Sequence, residues 1–306
     1  MSLQAELVRA WLRWSMKRSN HPNVTIEERR RRLAAYERWV PRPPRGIKTA
    51  QRPLGRIPAI RFGKRDSQTA RHILFLHGGA YTTGSAALYR HMLWRIAVAA
   101  AARVAAIDYR LAPEHPFPAA LDDSVAAWRG LLAEGAEPKH CAVMGDSAGG
   151  GLTLALLLKL RDTGAPLPAA AVALSPWTDL AMTGASLTRN AANDPMENPD
   201  DVPFLVRCYL GDGDPRNPYA SPLYGDPKGL PPTLIQVGSD EILRDDSVRM
   251  GERMRQAGCE VELEVWPRMP HVWHAFAPVM PEARAAITEL GAFIRRHTPS
   301  ADSPAA

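Results

Sequence analysis

The stretch Ala142-Val143-Met144-Gly145-Asp146-Ser147-Ala148-Gly149-Gly150 decides how this chain is read. Ala142 to Met144 is a short apolar run of strand type, and the residues from Ala148 to Arg161 follow a helical pattern. Between them stands a Gly-x-Ser-x-Gly turn, Gly145 to Gly149. A chain that passes straight from strand to helix leaves no room for side chains beside the serine, so both glycines have a steric task and the hydroxyl is exposed. The helix N-terminus also turns N–H groups and the positive end of its dipole toward negative charge developing at Ser147. Ser147 is therefore a candidate nucleophile.

Outward from this turn the pattern alternates. Ile73 to Leu76, Val104 to Ile107, Ala170 to Leu174, Thr233 to Val237 and Val261 to Val265 read as further strands, short, β-branched and bounded by Gly, Pro or charge. Helical stretches fall at 88–101, 118–134, 244–257 and 281–296. Such alternation implies a doubly wound α/β fold with a mostly parallel sheet covered on both faces. Two pieces stand outside the rhythm. Leu3 to Met16 is amphipathic, and Thr25, with Glu28 three residues on, opens a second helix to Trp39. Residues 183–230 are rich in proline, with one short apolar helix at Phe204 to Leu210. An insertion of that length in a compact domain is usually functional. The expected organisation is 1–48 as the N-terminal part of a cap, 49–182 and 231–306 as the core, and 183–230 as the cap insertion.

A serine hydroxyl needs a base, and the base needs an acid that fixes its tautomer. In this strand order the acid and then the histidine should follow the serine. Asp240, just past the strand Thr233 to Val237, is the expected acid, ahead of Asp245 and Asp246. His271, early in the loop after Val261 to Val265, is the expected base, with His274 as a pocket or core histidine. After the strand Ile73 to Leu76 comes His77-Gly78-Gly79-Ala80, whose small residues let backbone N–H groups turn toward an oxyanion. Gly78, Gly79 and Ala148 are the expected donors, and His77 is read as structural. Tyr81 and Asp146, with Trp14, Phe204 and Leu205 from the cap pieces, are the candidate substrate-binding residues; Trp11 and Trp39 offer further apolar surface.

Together, His77-Gly78-Gly79-Ala80, Tyr109-Arg110-Leu111-Ala112-Pro113-Glu114, Gly145 to Gly150 and Met269-Pro270-His271 resemble the hormone-sensitive lipase family of α/β-hydrolases, in its bacterial esterase branch. The resemblance spans about Leu54 to His297. It implies an α/β-hydrolase sheet of about eight strands flanked by helices, a helical cap, a Ser-Asp-His triad, and short- to medium-chain carboxylic esters as substrates. Pairing of two copies through the last strand follows by the same analogy. Two departures stand out: Ala80 replaces the usual third glycine, and the family's Asp-Pro-Leu is here Asp240-Glu241-Ile242-Leu243. An amidase or deacetylase would use the same triad. A silent ligand-binding member would be expected to lack the histidine, and His271 is present.

Composition narrows the function further. The chain has 306 residues, 45% hydrophobic and 23% charged, which excludes a disordered, collagen-like or coiled-coil chain. No apolar window is long enough for a spanning helix, and Arg9 and Arg13 interrupt any signal-peptide pattern. The three cysteines form neither a disulfide framework nor a metal pair, so a cytoplasmic location is expected; His271 and His274 lack further clustered ligands, so no metal is expected, nor any cofactor. The net charge of +6 conceals an asymmetry: up to Arg71 there are 18 basic against 5 acidic residues, and beyond it 20 against 27. Arg9, Arg13, Lys17, Arg18 and Arg29 to Arg32 carry much of that excess. A basic scaffold on a membrane surface is one reading of residues 1–48. Helix pairs of Glu27 with Arg31 and of Glu28 with Arg32, four residues apart, are the other, and no nucleic-acid motif accompanies the charge. The expected partner is a small ester, without nucleic acid or membrane insertion.

Overall fold

The computed structural model describes residues 1–17, 20–65 and 69–299; Arg18 of the basic segment lies outside them. In chain order the elements are α1 (Leu3–Ser15), α2 (Ile26–Glu37), β1 (Ile47–Gln51), β2 (Ala59–Lys64), β3 (His72–Leu76), α3 (Arg90–Ala99), β4 (Arg103–Ile107) and α4 (Ala119–Ala133). Then come β5 (Cys141–Asp146), α5 (Ala148–Asp162), β6 (Ala170–Leu174), α6 (Ser186–Arg189), α7 (Val202–Leu210), β7 (Thr233–Gly238), α8 (Arg244–Gln256), β8 (Val261–Trp266) and α9 (Pro281–His297). Eight strands form one sheet in the order β1-β2-β4-β3-β5-β6-β7-β8. The pairs β1–β2 and β2–β4 are antiparallel and all the others parallel.

Successive residues of the central strands feed opposite layers, as strand geometry requires. Ile73, Phe75, Ala142 and Met144 pack with Met92 and Ile96 of α3 and Leu290 and Phe293 of α9. Leu74, Leu76 and Val143 pack instead with Trp128 of α4 and Leu152 and Leu156 of α5. Burial on both faces is why these strands read as unbroken apolar runs. β1 and β2 do not: four of the five residues of β1 are exposed, and its sequence Ile-Lys-Thr-Ala-Gln carries no apolar run. They are the two strands that periodicity alone passes over.

The N-terminal helices are bound to the insertion by charge. Ser2 and Thr25 cap α1 and α2, accepting from the N–H groups of Ala5 and Glu28. Arg29 forms a two-pronged pair with Asp201 at 2.5 and 2.7 Å. Lys17 Nζ donates to the carbonyl of Asp194 at 2.6 Å. Arg30 reaches the carbonyls of Thr82 and Ala112, both at 2.8 Å, and the Glu114 carboxylate. On the open side of α2, Glu28 pairs with Arg32 at the four-residue spacing expected, and with Arg31 at three residues in place of the Glu27–Arg31 pair. Much of the basic segment thus binds partners within the chain.

α3 and α9 cross where Gly291 meets Ala99. A Cβ at Gly291 would lie 2.6 Å from the Ala99 carbonyl carbon and 2.7 Å from its Cβ. Gly291→Ala should therefore wedge the helices apart and cost about 1–3 kcal/mol. Urea unfolding should show a lower midpoint; a midpoint equal to that of the wild type would mean that the contact yields freely.

Candidate active site

The exits of β3, β5, β6, β7 and β8 lie along one edge of the sheet, where ligands of such folds collect. Strained backbone gathers there too. Ala80, Tyr81, Ser147, Ser175, Arg268 and Val272 all have positive φ, between 46° and 61°. For a β-branched residue such as Val272 this is a marked departure, and residues held in this way concentrate at functional sites.

Ser147 sits at φ 54°, ψ −124°, between the last residue of β5 and the first of α5. Its N–H donates to Leu174 O at 2.8 Å, and its carbonyl accepts from Trp177 N at 3.0 Å. The turn closes only on glycines: a Cβ at Gly145 would lie 2.2 Å from Gly149 O, and one at Gly149 would lie 2.1 Å from Leu76 O. Ser147 itself remains partly exposed.

His271 is buried, and its Nδ1 lies 2.7 Å from Glu241 Oε2. The expected acid, Asp240, does not make this contact. Its carboxylate is turned the other way, accepting from Arg9 Nη2 at 2.8 Å and from Ser239 Oγ at 2.9 Å. The cause is the turn after β7. Gly238 packs against Met269, where a Cβ would stand 2.0 Å from the carbonyl oxygen, and the chain curls so that residue 241 faces inward and residue 240 outward. Glu241 Oε1 also accepts from Gly238 N at 2.6 Å and from Ser175 Oγ at 2.7 Å. Asp245 and Asp246 serve elsewhere, on Ser186 N and on Thr178 and Asp179 N. His274 is a core histidine, with Nε2 on Gln236 Oε1 at 2.8 Å and burial pulling its pKa down to about 3.

Burial pulls the His271 pKa down, but the hydrogen bond and charge of Glu241, with the charges of Glu197 and Asp194, more than offset this and raise it to about 9. Glu197 itself is pushed up to about 7, chiefly by burial. Neither carboxylate was legible as part of the site. Both belong to the Asn193-Asp194-Pro195-Met196-Glu197 segment of the insertion, where Asp194 Oδ1 accepts from Met196 N and Glu197 N, and Oδ2 from Ile242 N.

The oxyanion loop needs a second correction. Gly78 is buried, and its N–H donates to Asp146 Oδ1 at 2.9 Å, so it has no donor to offer. Gly79 and Ala80 are the partly exposed residues of the loop, and their N–H groups, like that of Ala148, meet no protein acceptor among the described residues. His77 is structural, as read: its Nδ1 lies 2.8 Å from Gly78 O, and its ring stacks on Tyr109, whose hydroxyl donates to His77 O at 2.7 Å.

Asp146 is a scaffold for that loop rather than a substrate contact: it is 2% exposed and also accepts from Tyr89 Oη at 2.9 Å. Trp14 is likewise misplaced by the sequence reading. α1 turns Ala5, Arg9 and Leu12 inward and leaves Trp14 68% exposed on the outer face with Leu3, Leu7 and Trp11. Tyr81 is buried and stacks on Tyr209 of α7, with centroids 3.7 Å apart. Leu205 is buried in the same cluster, and partly buried Phe204 lies under the Arg29 guanidinium.

The His271–Glu241 pair gives a direct expectation for NMR titration. His271 should titrate well alkaline of 6.5, toward about 9. Glu241→Gln should lower that value by about a unit or more, because the burial stays while the opposite charge goes. A wild-type value at or below the ordinary 6.5 would contradict the pair.

This arrangement can be set beside known proteins. A family profile described as alpha/beta hydrolase fold matches residues 73–275. An acetyl-hydrolase of Streptomyces hygroscopicus is 50% identical over 231 residues, 76% of this chain and 77% of that one. An esterase of Acinetobacter venetianus is 36% identical over 251 residues, 79% of this chain and 83% of its own. Among solved structures, an esterase from the bacterial hormone-sensitive lipase family superposes with a TM-score of 0.92 at 44% identity, covering 97% of this chain and 99% of that one. EstE5, in a crystal soaked with p-nitrophenyl butyrate, superposes with a TM-score of 0.91 at 39% identity, with the same coverage. The chain belongs to the α/β-hydrolase family, in the bacterial hormone-sensitive lipase branch.

Proposed function

We propose that this protein is a serine carboxylesterase acting on short- to medium-chain esters. One observation carries the reading: a strained, partly exposed Ser147 at the strand-to-helix turn shares a sheet edge with a buried His271–Glu241 pair. Ser147 Oγ attacks the ester carbonyl carbon while His271 Nε2 takes its proton, and Glu241 holds Nδ1–H and stabilises the imidazolium. The N–H groups of Gly79, Ala80 and Ala148 receive the oxyanion. The alcohol leaves with the proton from His271. Water then attacks the acyl-enzyme, with His271 again as base, and releases the acid and Ser147.

The acyl pocket is the finer part of the proposal. Residues 1–48 and 183–230 act as a cap, and the Tyr81–Tyr209 stack with Phe204 and Leu205 of α7 supplies apolar surface for the acyl chain. The name of the Streptomyces relative, acetyl-hydrolase, favours a small acyl group. No helix among the described residues is long and apolar enough to cross a membrane. The three free cysteines suit a reducing cytoplasm.

Hydrolysis of p-nitrophenyl esters from acetate to palmitate, beside a matched anilide, tests this. Turnover should peak at short or medium chains and vanish in Ser147→Ala. Faster anilide cleavage, or no turnover by the folded wild type, would sink the esterase reading. Glu241→Ala should lose about 10⁴-fold in kcat, and Asp240→Asn far less. Equal losses would restore Asp240 as the acid. His271 acts when neutral, so kcat/KM should climb as pH rises through its raised pKa, with an inflection alkaline of 6.5.

A further inference from the structure

Asp240, displaced from the role expected of it, has another. The Arg9 guanidinium on its Oδ2 comes from α1, 231 residues away in sequence, and Arg9 is only 7% exposed. Through Nη1 the same guanidinium donates to the carbonyl of Arg268 at 2.6 Å, in the loop that leads to His271. Nη2 also approaches the carbonyl of Asn193 at 3.5 Å, beside Asp194, whose side chain holds Ile242 N. Ser239 closes the circuit: its hydroxyl donates to Asp240 Oδ1 at 2.9 Å and accepts from Arg268 N at 2.8 Å. The turn that bears Glu241 and the loop that bears His271 are therefore fastened to one another by one buried cation.

We propose that Arg9 is a positioning residue, which reaches in from the N-terminal helix and clamps the acid-bearing turn to the histidine-bearing loop. The inference rests on the serine esterase reading for its kinetic form, though not for its geometry. A bidentate guanidinium suits the task, because two acceptors on different loops fix both its position and its plane. An ammonium at the same place reaches one acceptor well and the other poorly. Loss of the clamp leaves Glu241 and His271 in place but lets the distance between them vary, and small misplacements at a reacting centre are costly.

The test compares wild type, Arg9→Met, Arg9→Lys, Asp240→Asn and the double variant Arg9→Met/Asp240→Asn, with Gln4→Ala, an exposed position on α1, as control. Competent sites are counted by titration with an organophosphate, so that kcat refers to folded, reactive enzyme. Arg9→Met should lose about 10- to 100-fold in kcat with little change in KM, and Arg9→Lys should fall between it and wild type. The double variant should cost no more than Arg9→Met, since the two residues act as a unit. The inflection of the pH profile should move toward 6.5, which a merely structural defect would not cause. A per-site kcat and pH profile like those of wild type, or losses that add in the double variant, would overturn the proposal.

Two safeguards separate the outcomes. Where Arg9→Met does not fold, Arg9→Lys and Asp240→Asn carry the comparison. A wild type without turnover would refute the esterase reading alone. The clamp is then read from the low-field proton resonance of the His271–Glu241 hydrogen bond, which should shift or broaden in the Arg9 variants and not in Gln4→Ala. An unchanged resonance would overturn it.

Discussion

One fully buried carboxylate organises the working edge of this molecule. Glu241 accepts from Ser175 just past β6, from Gly238 at the end of β7 and from His271 in the loop after β8, so three neighbouring strand exits converge on two oxygen atoms. A charge without partners in that position would cost several kcal/mol; with three donors it becomes a fixed point around which the loops are set. The hydrogen bond from Val272 N to Ser175 Oγ, at 3.2 Å, continues the same network and helps hold the left-handed residue beside His271. Electrostatics and backbone strain are thus two sides of one arrangement.

The basic N-terminus takes on a different meaning in this setting. Arg9, Lys17, Arg29 and Arg30 each reach across to another part of the chain, and three of them end on the insertion between β6 and β7 or on a loop beside the site. Charge that reads in the sequence as a patch for an external partner serves largely to fasten α1 and α2 over the sheet edge. Only fold geometry distinguishes the two uses, because both need the same residues on the same helices.

What was legible in the sequence follows the same logic. The parallel strands announced themselves because both faces are buried, whereas β1 and β2 form an exposed antiparallel edge and leave no such mark. Motif and context single out Ser147 and His271, which the structure sets at the turn after β5 and against Glu241. The choice between Asp240 and Glu241 was not legible, since it depends on which of two adjacent carboxylates a turn aims inward. The same holds for the loop after β3, where three successive N–H groups look alike in sequence but the Asp146 carboxylate takes that of Gly78 and leaves those of Gly79 and Ala80. Trp14 failed for a related reason: an amphipathic helix was evident, but Arg9 drew the opposite face inward.

The acidic surroundings of His271 have a consequence for the end of the catalytic cycle. An ester enters without charge, but the acid it yields is ionised at pH 7, so the reaction gives the ligand a charge on which its container can act. Glu241 and Asp194, whose charges favour the imidazolium, act against a nearby carboxylate, while the imidazolium itself attracts it. On the esterase reading, the groups that support the base therefore favour departure of the product once His271 has lost its proton.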